Sequence, residues 1–358
     1  MSMRTLLMSV AALCTGAMVA LSATAAVAAP QALRPEAPIE VSAAPKRFDL
    51  MTVDKARRRL LVAHSQAGTL TLIDLAADKL EREVPVGQSS GVAVDPQDGK
   101  YFVGTTQGVA VVDRNTLGKI GFISTPGPAD AMVFDQNDDR LYVGHDDDGE
   151  LWVIDPRHDK ITGQIAIPGA PELMAIDRQS HRLYVNIKPK NEVVAIDPGI
   201  GKIIARWSSL PTDSPHGLAL DLPDRRLFVA GRSRTVSVFS LPAGKPVEGI
   251  DIGPGHVDQI AFDALARRLY CPSSGRLVTV AISAGSDTVL GSVAIPQGTH
   301  SVAVDPRTHR VDRLCGRGSQ LRAGICPRGR REMTSDPTSP VRCAGSRRQP
   351  SRGQFRGA

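Results

Sequence analysis

Cysteine is scarce in this chain and unevenly placed. Of five, Cys14 lies near the start and Cys315, Cys326 and Cys343 near the end, which leaves Cys271 alone between them. A disulfide within the body is therefore excluded, as is a disulfide miniprotein. Aromatic residues reach only 4%. There is no H-E-x-x-H, C-x-x-C, C-x-x-C-H or phosphate loop, so the common zinc-hydrolase, redox, haem and nucleotide signatures are missing. After the first 28 residues no run approaches the roughly 18 apolar residues that span a bilayer. The body also lacks an excess of either charge: residues 1–311 carry a net −2 and residues 312–358 a net +8, the latter from 11 Arg against Asp312, Glu332 and Asp336. The whole-chain +6 belongs to the tail. No nucleic-acid partner is expected for the body.

What is present is an ordinary globular composition, 42% hydrophobic and 22% charged, with 33 Gly and 26 Pro to supply many turns. Arg4, an apolar run over 6–21 and Ala26-Val27-Ala28 form the charged start, apolar middle and A-x-A site of a Sec-type signal peptide. Residues 1–28 are read as that leader, cleaved after Ala28, and the mature protein is expected to be periplasmic or secreted. Residues 29–38, with Pro30, Pro35 and Pro38, read as a linker.

The body, 39–311, repeats one pattern seven times. A short apolar run ends in Asp54, Asp95, Asp135, Asp177, Asp221, Asp263 and Asp305, at spacings of 41, 40, 42, 44, 42 and 42 residues. Five residues after each Asp comes a base: Arg59, Lys100, Arg140, Arg182, Arg226, Arg268 and Arg310. Each copy has room for four short strands, and turn residues such as Pro96-Gln97-Asp98-Gly99 join the first two in a hairpin. The Asp is expected to accept backbone N–H groups of that turn, with the base across the hairpin mouth as its clasp. A four-stranded unit of about 42 residues is the mark of a propeller blade. The fold class expected is all-β: a seven-bladed β-propeller of four-stranded blades, with Ile39-Glu40-Val41 as the outer strand of the seventh.

That seventh blade is expected to be incomplete. After Arg310-Val311 the pattern stops, and residues 312–358 hold only five Leu, Ile, Val or Phe and no alternation. This Arg-rich segment reads as a disordered extension, a frameshifted end or a basic arm.

Gly87-Gln88-Ser89-Ser90-Gly91 matches G-x-S-x-G, but here the Ser precedes a strand, whereas a nucleophile elbow needs it between strand and helix. The repeat geometry yields a better candidate site. The residues five before each Asp are Asp49, Ser90, Asp130, Glu172, His216, Asp258 and His300, all polar. Their loops are expected to ring one mouth of the central channel. The second-to-third strand loops add His64, His145, Lys188, Lys190, Arg232 and Arg234 to that face, and His256 joins it. Such a ring could bind a polar ligand, shuttle protons, or hold a divalent cation through Asp130, Glu172, His216, Asp258 and His300. A wet channel mouth would be polar in any case.

The H-G-L-A-L-D run at 216–221, the L-Y-V runs and L-W-V-I-D-P at 151–156 resemble the YVTN-repeat, or YncE-like, seven-bladed propellers of bacteria over residues 39–311. The resemblance implies an exported binding or interaction scaffold, taken here as a monomer, whose partner is a small ligand or a cell-envelope protein. Related propellers include sugar-lactone hydrolases and a streptogramin lyase. The alternative is therefore a metal-assisted lactonase-like hydrolase or lyase at the channel, with His216 or His300 as acid or base.

Overall fold

The computed structural model describes residues 33–36, 38–41, 47–145, 149–313 and 321–324. The leader, half of the linker, residues 42–46, Asp146 to Asp148 and most of the tail lie outside the described residues. Among these residues every regular element is a β-strand except one 3-10 turn, Lys188–Lys190. No helix here is long and apolar enough to cross a membrane.

Four consecutive strands pair antiparallel in chain order within each repeat. In the third these are Met132–Asp135, Arg140–Gly144, Glu150–Asp155 and Lys160–Ala166. Six blades are built this way, at residues 51–85, 89–124, 132–166, 171–208, 215–251 and 261–294. The middle strands are buried throughout, as in Arg182–Ile187 and Glu192–Asp197, while the fourth strand alternates, as in Lys202–Ser208. Apolar middles and half-polar outer edges are what blades stacked side by side require. Seven buried apolar clusters make the core, each lying between neighbouring sheets: Tyr142 and Leu151 pack with Leu183 and Val194, and Phe228 and Val238 pack with Leu269 and Val280.

The expected count of seven like blades is corrected to six. The seventh repeat forms a composite sheet, ordered Val302–Asp305, Arg310–Arg313, Leu321–Gly324, Arg34–Glu36. Its outer strand is therefore Arg34–Glu36 and not residues 39–41. Ile39 and Val41 are irregular and buried beside Phe48, Met51 and Ala303, spent as core, whereas a strand containing Pro35 suits an edge. The expected gap at the third strand is filled by Leu321–Gly324 from the tail. The fit is poor in chemistry. Seven residues after the repeated Asp, blades 2 to 6 bury Phe102, Tyr142, Tyr184, Phe228 and Tyr270; the composite sheet buries Asp312 there, 1% exposed, beside Arg313 at 4%.

The repeated Asp accepts from its own turn as expected: the N–H groups of Gln97 and Asp98 donate to Oδ1 of Asp95 at 2.9 and 3.0 Å. The clasp is different from the one expected. The base at the fifth position mostly leaves for other acids: Arg59 for Glu81 (2.6 Å), Lys100 for Asp159 (3.0 Å) and Arg182 for Asp197 (2.8 Å). Only Arg226 stays near its own Asp221, at 3.2 Å. The Asp is instead paired across the joint by the next repeat. Arg58 reaches Asp305 (2.7 Å), His181 reaches Asp135 (3.3 Å), Arg225 reaches Asp177 (2.7 Å), Arg267 reaches Asp221 (2.7 Å) and His309 reaches Asp263 (2.7 Å). Each donor sits four residues after its own repeat's Asp, in a left-handed backbone conformation with φ between 50° and 60°. That conformation closes the hairpin and turns the side chain toward the neighbour. In blade 2 the position is Gly99, which has no side chain; Arg114 takes over and grips Asp54 with Nε and Nη2 at 2.6 and 2.7 Å.

The entry segments of blades 1 and 6 are tied together. The Gln259 amide, four residues before Asp263, donates to the Met51 carbonyl at 2.7 Å and accepts the Met51 N–H at 3.3 Å. Leu50 packs with Leu173 and Val133 against the cluster between blades 3 and 4. Gln259→Ala would leave both Met51 backbone groups without this partner and is expected to cost about 1–3 kcal/mol in denaturant unfolding. A cost near zero would mean that water replaces the amide.

Candidate functional site

Four of the seven predicted ring residues are joined in one chain of polar contacts spanning blades 4 to 6 and the composite sheet. Oε1 of Glu172 meets Nζ of Lys188 at 2.6 Å and Nε2 of His216 at 3.4 Å. The His216 ring stands edge-on to His256, with centroids 5.8 Å apart. Nε2 of His256 lies 2.7 Å from Oδ1 of Asp258, whose Oδ2 is 3.0 Å from Nδ1 of His300. These residues are placed by strand entries. Pro215–Asp221 starts one residue before His216, and Gln259, next to Asp258, bonds to the His300 carbonyl at 3.0 Å.

The hydrogen bonds fix which nitrogens are available. His216 is 4% exposed and Nδ1 donates to the Ser214 carbonyl at 2.6 Å, so Nε2 carries the lone pair in the neutral ring. Burial holds its pKa below the usual histidine value, against the opposing pull of the Ser214 hydrogen bond and Asp258. His300 is likewise lowered by burial against the pull of Asp258; its Nδ1 lies 3.0 Å from that carboxylate and 3.1 Å from the Ser301 hydroxyl. His256 is held between opposites. Its Nε2 is 3.1 Å from Nε of Arg232 as well as 2.7 Å from Asp258. One ring nitrogen cannot accept from a guanidinium and donate to a carboxylate at once, so the two contacts are alternatives. The contact to Asp258 is poorly directed, and its buried Oδ1 has no hydrogen bond.

Beside this chain lies an open surface hollow of about 520 Å³, lined by Arg232, Pro254, Gly255, His256, Ser274 and Arg276. Arg276 donates to the Pro254 carbonyl at 3.2 Å. Neither Arg232 nor Arg276 has a carboxylate within ion-pair reach among the described residues. Neighbouring Arg234, by contrast, holds Asp251 with two hydrogen bonds, at 3.0 and 2.6 Å.

Not every predicted residue joins the chain. Asp49, Ser90 and Asp130 lie at their strand entries, half-buried, and the Ser90 carbonyl accepts the Leu50 N–H at 3.1 Å. His64 is fully buried and stacked on Phe48 at 4.2 Å; His145 is 6% exposed and edge-on to Trp152 at 5.2 Å. Both rings are packed against aromatic neighbours. Ser89 is buried at a strand start and its hydroxyl donates to the Thr69 carbonyl at 3.3 Å. Of the five predicted cation ligands, His216 and Asp258 come together, with His256 as third member; their ligand atoms lie within 4.8 Å of one another. Arg232 at the same point opposes a dication: at ~4 Å and an effective dielectric near 20 the repulsion is about 4 kcal/mol per unit charge, so roughly double for a divalent ion.

The sequence matches no protein-family model and no curated protein. Its fold resembles solved propeller structures. Hydrazine synthase of Kuenenia stuttgartiensis aligns with a TM-score of 0.68 at 15% identity, over 76% of this chain and 93% of that one. The Cps50 (Swd1) beta-propeller domain of Myceliophteria thermophila aligns with a TM-score of 0.68 at 12% identity, over 82% of this chain and all of that one (100%). At such identities the likeness concerns the fold alone. The chain is a β-propeller.

Proposed function

We propose that this protein is an exported propeller of the YVTN-repeat kind that acts as a binding scaffold, holding a small polar ligand with acid groups at the channel-mouth face between blades 5 and 6. The observation that carries this reading is the hollow lined by Arg232, His256, Ser274 and Arg276. Two guanidiniums without acidic partners among the described residues, with the Ser274 hydroxyl beside them, form a donor set that matches carboxylate or phosphate oxygens. The volume falls in the range of small-molecule sites. The leader sequence supports export, and the repeated L-Y-V and H-G-L-A-L-D runs support the narrower kinship.

Calorimetric titration with succinate, inorganic phosphate and neutral glucose tests it. Binding of at least one anion is expected, weakened by about tenfold or more in Arg232→Ala and in Arg276→Ala, with Arg234→Ala unchanged. Binding that ignores both guanidiniums, or no anion binding at all, would overturn the reading.

The enzymatic alternative has one specific support, the approach of His216, His256 and Asp258 to within 4.8 Å. It predicts lactone hydrolysis that needs an added divalent cation and is lost in His216→Ala. Hydrolysis without that loss would remove it.

A further inference from the structure

Six of the seven repeated Asp residues receive an arginine or histidine side chain across a joint: Asp305, Asp54, Asp135, Asp177, Asp221 and Asp263. The joint between blades 2 and 3 inverts the pattern. The residue four after Asp135, in the same left-handed conformation (φ 53°), is Asp139, so the neighbour presents an acid to Asp95. The carboxylates of Asp95, Asp98 and Asp139 offer oxygens that all lie within 4.8 Å of one another. Lys100, the base of this repeat, is committed elsewhere, 3.0 Å from Asp159. Arg157 touches Asp139 at 2.6 Å, but from the solvent side, with 67% of its side chain exposed.

We propose that this joint is a divalent-cation site, with Asp95, Asp98 and Asp139 as ligands and calcium as the ion that fits an all-oxygen donor set. An observation independent of the clustering points to the ion. Asp95 is fully buried, at 0% exposure, and its Oδ1 is satisfied by two turn N–H groups, yet its buried Oδ2 has no hydrogen-bond partner. A fully buried carboxylate oxygen without a donor is costly. Asp54, Asp177, Asp221, Asp263 and Asp305 each meet a donor side chain from the next repeat, and Asp135, whose Oδ2 also lacks a hydrogen bond, still has the His181 imidazole 3.3 Å away, whereas Asp95 faces only carboxylates. Here three carboxylates against one exposed guanidinium leave two negative charges, which a divalent ion balances. Asp135–Asp138–His181 at the next joint has the same outline, but there an imidazole takes the place of the third carboxylate, 2.9 Å from Asp138. This site lies on the turn end of the blades and is separate from the channel-mouth hollow.

Thermal unfolding of the full chain, first stripped with EDTA, tests the assignment. Saturating calcium chloride is expected to raise the midpoint by about 2–4 °C over magnesium chloride at equal ionic strength. Asp139→Arg, which copies the residue found at this position in blades 5 and 6, is expected to abolish the rise and to bring the stripped protein to the calcium-bound midpoint or above. Should that variant fail to fold, equilibrium dialysis with calcium decides: one ion per chain in the unaltered protein, and at least tenfold weaker binding in Asp98→Asn, whose side chain is exposed. No calcium-specific rise, or a rise and stoichiometry unchanged by Asp139→Arg and Asp98→Asn, would overturn the proposal.

Discussion

Asp221→Ala is expected to lower the stability of the propeller by about 3–5 kcal/mol, the loss that follows when one member of a buried ion pair is removed. Asp221 is fully buried and takes both arms of the Arg267 guanidinium, at 2.8 and 2.7 Å, and Arg226 at 3.2 Å. The substitution leaves Arg267 with only Asp224, which is 39% exposed, while Arg226 keeps Asp287 at 3.2 Å. The same pairing sets the acid limb of stability. Burial alone would raise the carboxyl pKa of Asp54, Asp177, Asp221 and Asp305; their hydrogen bonds outweigh it and hold all four below 3.8. A carboxylate lowered in the folded state contributes stability above its unfolded pKa and loses it as pH falls through the folded value. Urea unfolding of the unaltered protein should therefore weaken steadily below about pH 4, and Asp221→Ala should weaken less over the same interval. Equal acid slopes in the two proteins would show that these joints are not the acid-sensitive element.

The double substitution Asp312→Tyr with Arg313→Val is expected to have the opposite sign, a gain of about 1–4 kcal/mol in urea unfolding. Blades 3 and 4 read Leu-Tyr-Val at this point of the second strand, and all six of those residues are buried. The composite sheet reads Val311-Asp312-Arg313, with both charged side chains at least 96% buried. Restoring the apolar residues removes two desolvated ionic groups and fills the space where the other blades place a ring. A loss of stability would show instead that the two charges are anchored by partners specific to this sheet. The switch from strand pattern to Arg-rich sequence in the middle of this strand is also what a shifted reading frame would produce. The nucleotide sequence around codon 311 decides that point.

The blades were legible because their information is local: an apolar run, a turn, a second apolar run, repeated at one spacing. The ring's closure was not, because its last two strands, Leu321–Gly324 and Arg34–Glu36, come from segments that lack the pattern and meet across almost the whole chain. The clasp was misassigned for a similar reason. Arg57-Arg58-Arg59, Arg225-Arg226 and Arg267-Arg268 place bases side by side, and only the left-handed conformation at the fourth position shows which one crosses the joint. At the candidate site, His216, Asp258 and His300 could be found by counting back from the repeated Asp. Arg276, Ser274 and Gln259 could not, since nothing at the matching positions of other repeats marks them. His64 and His145 obeyed the loop geometry but were claimed by packing against Phe48 and Trp152.

The glycine at the corner of blade 2 has a consequence for how this molecule could be rebuilt. Gly99 relies on Arg114 from its own blade to hold Asp54. A copy of blade 2 moved elsewhere would carry its own rivet, whereas a copy of blade 3 would bring an acid to whatever Asp it met. The repeats look like interchangeable parts, but their seams are keyed, so shuffling or duplicating them would succeed only for the orders in which each corner meets its complement.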